Sequence, residues 1–83
     1  MKDEIEKPSR DMAINQLEIL SRRGYFLLPE YNHEETYDVD GNPIWICTVS
    51  IPETPIELTE KSFSKKEVKK YVAYKLLMYL LKE

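Results

Sequence analysis

Residues 64–77 read Ser-Lys-Lys-Glu-Val-Lys-Lys-Tyr-Val-Ala-Tyr-Lys-Leu-Leu, three lysines at the front of a segment that turns apolar behind them. Ser64 suits an N-cap, because its hydroxyl can accept from an amide that the first helical turn leaves without a partner. Val68, Val72, Leu76, Tyr79 and Leu80 then recur at helical spacing, which predicts a helix reaching Lys82 with one apolar stripe. Lys65, Lys66 and Lys69 stand where that helix already carries about half a positive charge, a place that usually takes Asp or Glu. Ammonium groups there cost helix stability, and the arrangement suits an anionic ligand such as backbone phosphate. A solvated lysine face is the plainer alternative. The choice between the two rests on what lies upstream.

Before this helix, Ile44–Ile51 is the clearest strand, β-branched and aromatic, with Trp45, Cys47, Val49 and Ile51 on one face. Pro52 and Pro55 end it, and Ile56–Phe63 returns as a third strand with Ile56, Leu58 and Phe63 as its apolar contributions. Asp40-Gly41-Asn42-Pro43 is a turn by its residue types. Ahead of the turn, Tyr25–Asp38 reads as extended, since Pro29 forbids a helix interior and Tyr31, His33, Glu35 and Tyr37 alternate with polar residues. Gly24 stands where a left-handed C-cap belongs. It closes a first helix of about four turns, capped by Ser9, with Met12, Ala13, Leu17, Ile19 and Leu20 as its apolar face. Met1–Pro8 is polar and unpatterned and is expected to be a flexible N-terminal tail, leaving 9–83 as one domain. The order helix, three antiparallel strands, helix predicts an α+β two-layer sandwich, α-β-β-β-α, with both helices packed on one face of the sheet.

Composition narrows the function. Eighty-three residues make a single small domain with a modest core. No apolar run is long enough to span a bilayer and none of the first residues forms an apolar signal segment, so no membrane is expected and the cytoplasm is the expected compartment. The single Cys47 has no disulfide partner, and with one His33 there is no zinc spacing. Two glycines in all leave no phosphate-cradling loop, and no Ser/His/Asp set is visible. No enzyme, metal or cofactor is expected. The net charge of −3 is uneven: residues 1–43 hold five basic against ten acidic groups, whereas 61–75 hold six lysines against Glu67 alone. An acidic total argues against indiscriminate polyanion binding yet leaves room for a local basic footprint.

The motif Ser64-Lys65-Lys66-x-Val68-Lys69-x-x-Val72-Ala73-x-Lys75-Leu76-Leu77 resembles the S-K-K-x-A-K-x-x-A-A-x-x-A-L signature of the double-stranded RNA-binding domain, with valines in place of small alanines. Leu28-Pro29-Glu30-Tyr31 is similar to that family's approach to its first strand, and Gly24 matches the glycine closing its first helix. The resemblance spans residues 10–82. It implies a non-catalytic module on double-stranded or structured RNA, which contacts two minor grooves and the phosphates between them over ~16 base pairs. Lys65, Lys66 and Lys69 match the phosphate-binding positions. Aligning on Gly24 places Glu18 at the family's first-helix glutamate, while aligning on Pro29 places Ile19 there. Gln16 and Glu18, with Asn42 in the loop, are the candidate minor-groove residues. The sequence departs from the family in that loop: Gly41-Asn42-Pro43-Ile44-Trp45 carries an inserted Asn and ends without the histidine, and Glu34, Glu35, Asp38 and Asp40 precede it. His33 lies upstream and reads as a strand histidine rather than a ligand or base.

Tyr74, Met78 and Leu81 form a second helical stripe, rotated from the first, where a related domain would show polar residues. Three apolar side chains at this spacing suggest an exposed patch. A protein partner or weak homodimer is therefore the second expected function, a domain of this fold that has exchanged RNA for protein association.

Overall fold

The computed structural model describes residues 2–82 and runs α1 (Ala13–Arg22), β1 (Glu30–Tyr37), β2 (Pro43–Ser50), β3 (Glu57–Ser62) and α2 (Lys65–Leu81), after one 3₁₀ turn at Lys2–Glu4. The strands form one antiparallel sheet in the order β1-β2-β3. α2 packs across β2 and β3, and α1 packs on α2. This is the expected α-β-β-β-α two-layer architecture, the fold of the double-stranded RNA-binding domain.

Alternation decides the sheet. Tyr31 pairs with Val49, His33 with Cys47 and Glu35 with Trp45, and Leu58, Glu60 and Ser62 continue those rows on β3. Cys47, Val49 and Ile51 are buried beneath α2, with Tyr31, Trp45, Ile56 and Leu58 packed around them. Phe63, expected to contribute, is 69% exposed, because it lies beyond the end of β3 in the link to α2. On the far face the Thr48 and Thr59 hydroxyls meet at 3.1 Å.

α1 is shorter than its sequence suggests. It begins at Ala13 after a turn in which the Met12 amide donates to the Ser9 carbonyl, and the Ser9 hydroxyl caps nothing. Its inward face is Ala13, Leu17 and Leu20, while Met12 remains about half exposed. At its C-terminus Gly24 has φ +88°, as expected. The Gly24 amide donates to Ser21 O and the Tyr25 amide to Leu20 O, the paired closing bonds of a left-handed cap. The segment expected as a tail contributes to the core: Ile5 is 7% exposed, and the Arg23 guanidinium holds the Glu4 carboxylate at 3.3 Å. Met1 lies outside the described residues.

In α2 the buried residues are Val68, Val72, Ala73, Leu76, Leu77 and Leu81. At ~100° per residue this sector turns around the helix axis from its first turns to its last. Two partners explain the turn, since α2 faces both the sheet and α1. Tyr79, expected inside, is consequently 48% exposed, and Leu81, expected outside, is buried at 9%.

Candidate nucleic-acid interface

The first turn of α2 is held firmly. The Ser64 hydroxyl accepts from the Glu67 amide at 3.2 Å, and the Ser64 amide in turn donates to the Ser62 hydroxyl. This cap fixes where the following lysines point. The Lys65 ammonium lies 5.0 Å from the centre of the Trp45 ring, and the Lys69 ammonium 4.8 Å from that of Tyr31. Each such cation–π contact contributes ~0.5–1 kcal/mol at a surface. Burial pushes the Tyr31 phenol up to about 12, so the ring stays neutral beneath its lysine.

Among the described residues Lys65, Lys66 and Lys69 make no ion pair, whereas two other lysines of α2 do. Lys70 reaches Asp11 at 3.5 Å and Glu67 at 3.8 Å, and Lys75 reaches Glu60 at 3.3 Å. The positive charge left without a carboxylate on α2 is thus concentrated at its N-terminal end. There Lys65, Lys66, Lys69 and Lys70 line an open groove of about 480 Å³ with Ile14 and His33. An adjoining recess of about 200 Å³ shares Ile14 and Lys69 and extends to Glu18 and Leu28. The lysine end and the exposed side of α1 therefore form one continuous surface.

The candidate minor-groove residues fare differently. Glu18 reaches this surface but is ion-paired with Arg22, one turn along α1. Gln16 instead braces the chain before α1: its Oε1 accepts from the Ser9 amide at 3.3 Å, and its Nε2 donates to the Lys7 carbonyl at 3.0 Å. Asn42 is similarly engaged, its amide and Nδ2 both donating to the Asp38 carboxylate. That carboxylate also accepts from the Asp40 amide, and these bonds, the Asn42 amide foremost, hold it below the usual carboxyl range. The tip between β1 and β2 shows Val39, fully exposed, and Asp40. The second apolar stripe is broken by the burial of Leu81; Tyr74 is half-buried under Arg10 and Met78 is 43% exposed.

His33 is the strand histidine that the sequence suggests, within β1, whereas the aromatic seats of Lys65 and Lys69 escaped the sequence reading. Alternation placed Tyr31 and His33 on one face, but only the packing of α2 across the sheet brings Lys69 over Tyr31 and Lys65 over Trp45. The imidazole is half-buried, and its pKa is lowered by burial and then by Lys65 and Lys69. Among the described residues no group of three or more His, Cys, Asp or Glu side chains is placed to hold a metal ion, and no helix is long and apolar enough to cross a membrane.

No family model matches the chain. Over all 83 residues it is 48% identical to a ribonuclease 3 of Roseburia hominis, and it spans 23% of that protein's length.

Proposed function

We propose that the chain is a non-catalytic module that binds double-stranded or structured RNA through Lys65, Lys66 and Lys69. The observation that carries this reading is the state of those lysines: without ion-pair partners among the described residues, seated on aromatic rings or beside a groove, at the positive end of α2. The fold and the likeness to part of a protein named for cleaving RNA support it. In this reading the chemistry of such a nuclease resides outside the matched segment. Glu18 is the strongest minor-groove candidate, since it borders the lysine surface, while Gln16 is engaged with the backbone before α1 and Asn42 with the Asp38 carboxylate. The competing homodimer reading loses Leu81 to the core and keeps only Met78 and part of Tyr74 from its stripe.

Titration with an RNA duplex of about 20 base pairs tests the proposal. Lys65→Ala, Lys66→Ala and Lys69→Ala together should weaken binding to all duplex sequences alike. They should also flatten the plot of log affinity against log salt by roughly 2–3, at ~0.7–0.9 per lost phosphate contact. A DNA duplex of the same sequence should bind less well, because it lacks the 2′-hydroxyls. Absence of RNA binding at low salt would end this reading, and equal affinity for RNA and DNA would reduce it to charge attraction.

A further inference from the structure

We propose that His33 completes the anion seat at the start of α2, taking up a proton as a phosphate group docks beside it, so that the domain holds RNA more tightly as the solution becomes more acid. The proposal rests on the RNA reading above and deepens it by adding a titratable contact.

The placement comes from the sheet register. His33 pairs with Cys47, while its neighbours in the same rows are Tyr31 with Val49 and Glu35 with Trp45. Lys69 lies over Tyr31 and Lys65 over Trp45, so the imidazole sits between the two ammonium groups, one helical turn apart. It shares a groove with both, and with Lys66, Lys70 and Ile14. In the free protein a further positive charge here is opposed by burial and then by Lys65 and Lys69, which lowers the imidazole pKa. A phosphate group entering the groove reverses the sign of that local field. The imidazolium then gains an anionic partner and a second N–H to donate.

The groups around it leave the pH window clear. From α2 it faces the four lysines, and from α1 the apolar Ile14. Asp11 and Glu67 stand behind Lys70. On its own strand Tyr31 and Glu35 share its face, and Cys47 opposes it from β2. The phenol and the thiol are both shifted upward by burial, away from the neutral range. His33 is the only histidine of the chain. The α-amino group also titrates near neutrality, but a His33→Gln variant retains it.

By linkage, affinity should be greatest below the imidazole pKa of the free protein and should decline as pH rises through that of the complex. A rise of one pKa unit on binding corresponds to about tenfold in affinity. Duplex titrations at fixed salt from about pH 5.5 to pH 8 should show a roughly three- to tenfold tightening toward acid in the wild type, and a flat profile in His33→Gln. NMR titration of the wild-type imidazole, which needs no variant to fold, should give a higher pKa with duplex than without. Calorimetry in two buffers of different ionisation enthalpy should register proton uptake near pH 7. Duplex binding with an unmoved imidazole pKa and the same pH profile in both proteins overturns this proposal and leaves the RNA reading standing. No binding at any pH overturns both.

Discussion

Lys65 and Lys69 lay their charged nitrogens on aromatic rings from two different strands, Trp45 of β2 and Tyr31 of β1. A free lysine side chain loses up to ~2 kcal/mol of rotamer entropy when a ligand fixes it. Here part of that ordering precedes any ligand, so less remains to be lost on binding. The lysines themselves were legible in the sequence, because charge and helical spacing are local properties. Their aromatic seats and their nearness to His33 were not, since these contacts join residues 20 to 38 positions apart and depend on how α2 crosses the sheet. The amides of Gln16 and Asn42 illustrate the converse. Their residue types suited a groove contact, but nearby backbone and a carboxylate had already engaged them. His33 carries a prediction for the protein without RNA. Its folded pKa is lowered from the usual 6.5, so the unfolded chain binds the proton more readily. The stability held by the neutral imidazole is complete above the unfolded value and is lost as pH falls toward the folded one. Thermal melts should therefore show a fall in stability below about pH 6.5 that His33→Gln lacks, opposite in direction to the tightening of RNA binding.

The elements show where local pattern suffices and where it fails. β2 was readable because its buried residues alternate without interruption, and α1 ended as expected at Gly24, where a left-handed conformation is needed. The start of α1 was misread because Ser9 looks like a cap, yet the side chain that organises that turn is Gln16, a full helical turn inside α1. α2 departed from a fixed stripe because it has two partners rather than one flat surface. Ile5 was invisible for another reason: a single isoleucine among charged residues has no period to reveal it. Burial of such a side chain contributes ~1.5–3 kcal/mol. Ile5→Ala should lower unfolding free energy by about 1–3 kcal/mol, the transfer part of a truncation at the margin of a core. Removal of residues 1–8 should cost at least as much, because it takes Ile5 from the core and also removes the Lys7 carbonyl from Gln16 Nε2 and the Glu4 carboxylate from Arg23. Chemical denaturation measures both, and an unchanged midpoint after truncation would show that the segment does not support the core.

For the molecule as a whole, the surplus of acid in residues 1–43 has the same sign as the RNA proposed as its ligand. Glu34, Glu35 and Asp40 lie on β1 and its loop, and in the proposed RNA reading they flank a duplex lying along α1 and the start of α2. Carboxylates at such distances act through solvent and fade over ~8–10 Å at physiological salt. Glu34→Gln, Glu35→Gln and Asp40→Asn together should therefore tighten duplex binding several-fold at low salt, chiefly through a faster association rate, and change little at high salt. Stopped-flow association across a salt series checks this, and a salt-independent gain would point to direct contact instead. Cys47, the only cysteine, has another consequence at this scale. It is wholly buried in the central strand, so a thiol reagent reaches it only when α2 lifts from the sheet. Its labelling rate then measures how often the domain opens, in a single unmodified chain. Any molecule that binds only the closed form must slow that reaction by a factor of one plus its concentration over its dissociation constant. The strand buried deepest in the fold thus carries a chemical clock for events at its outer surface.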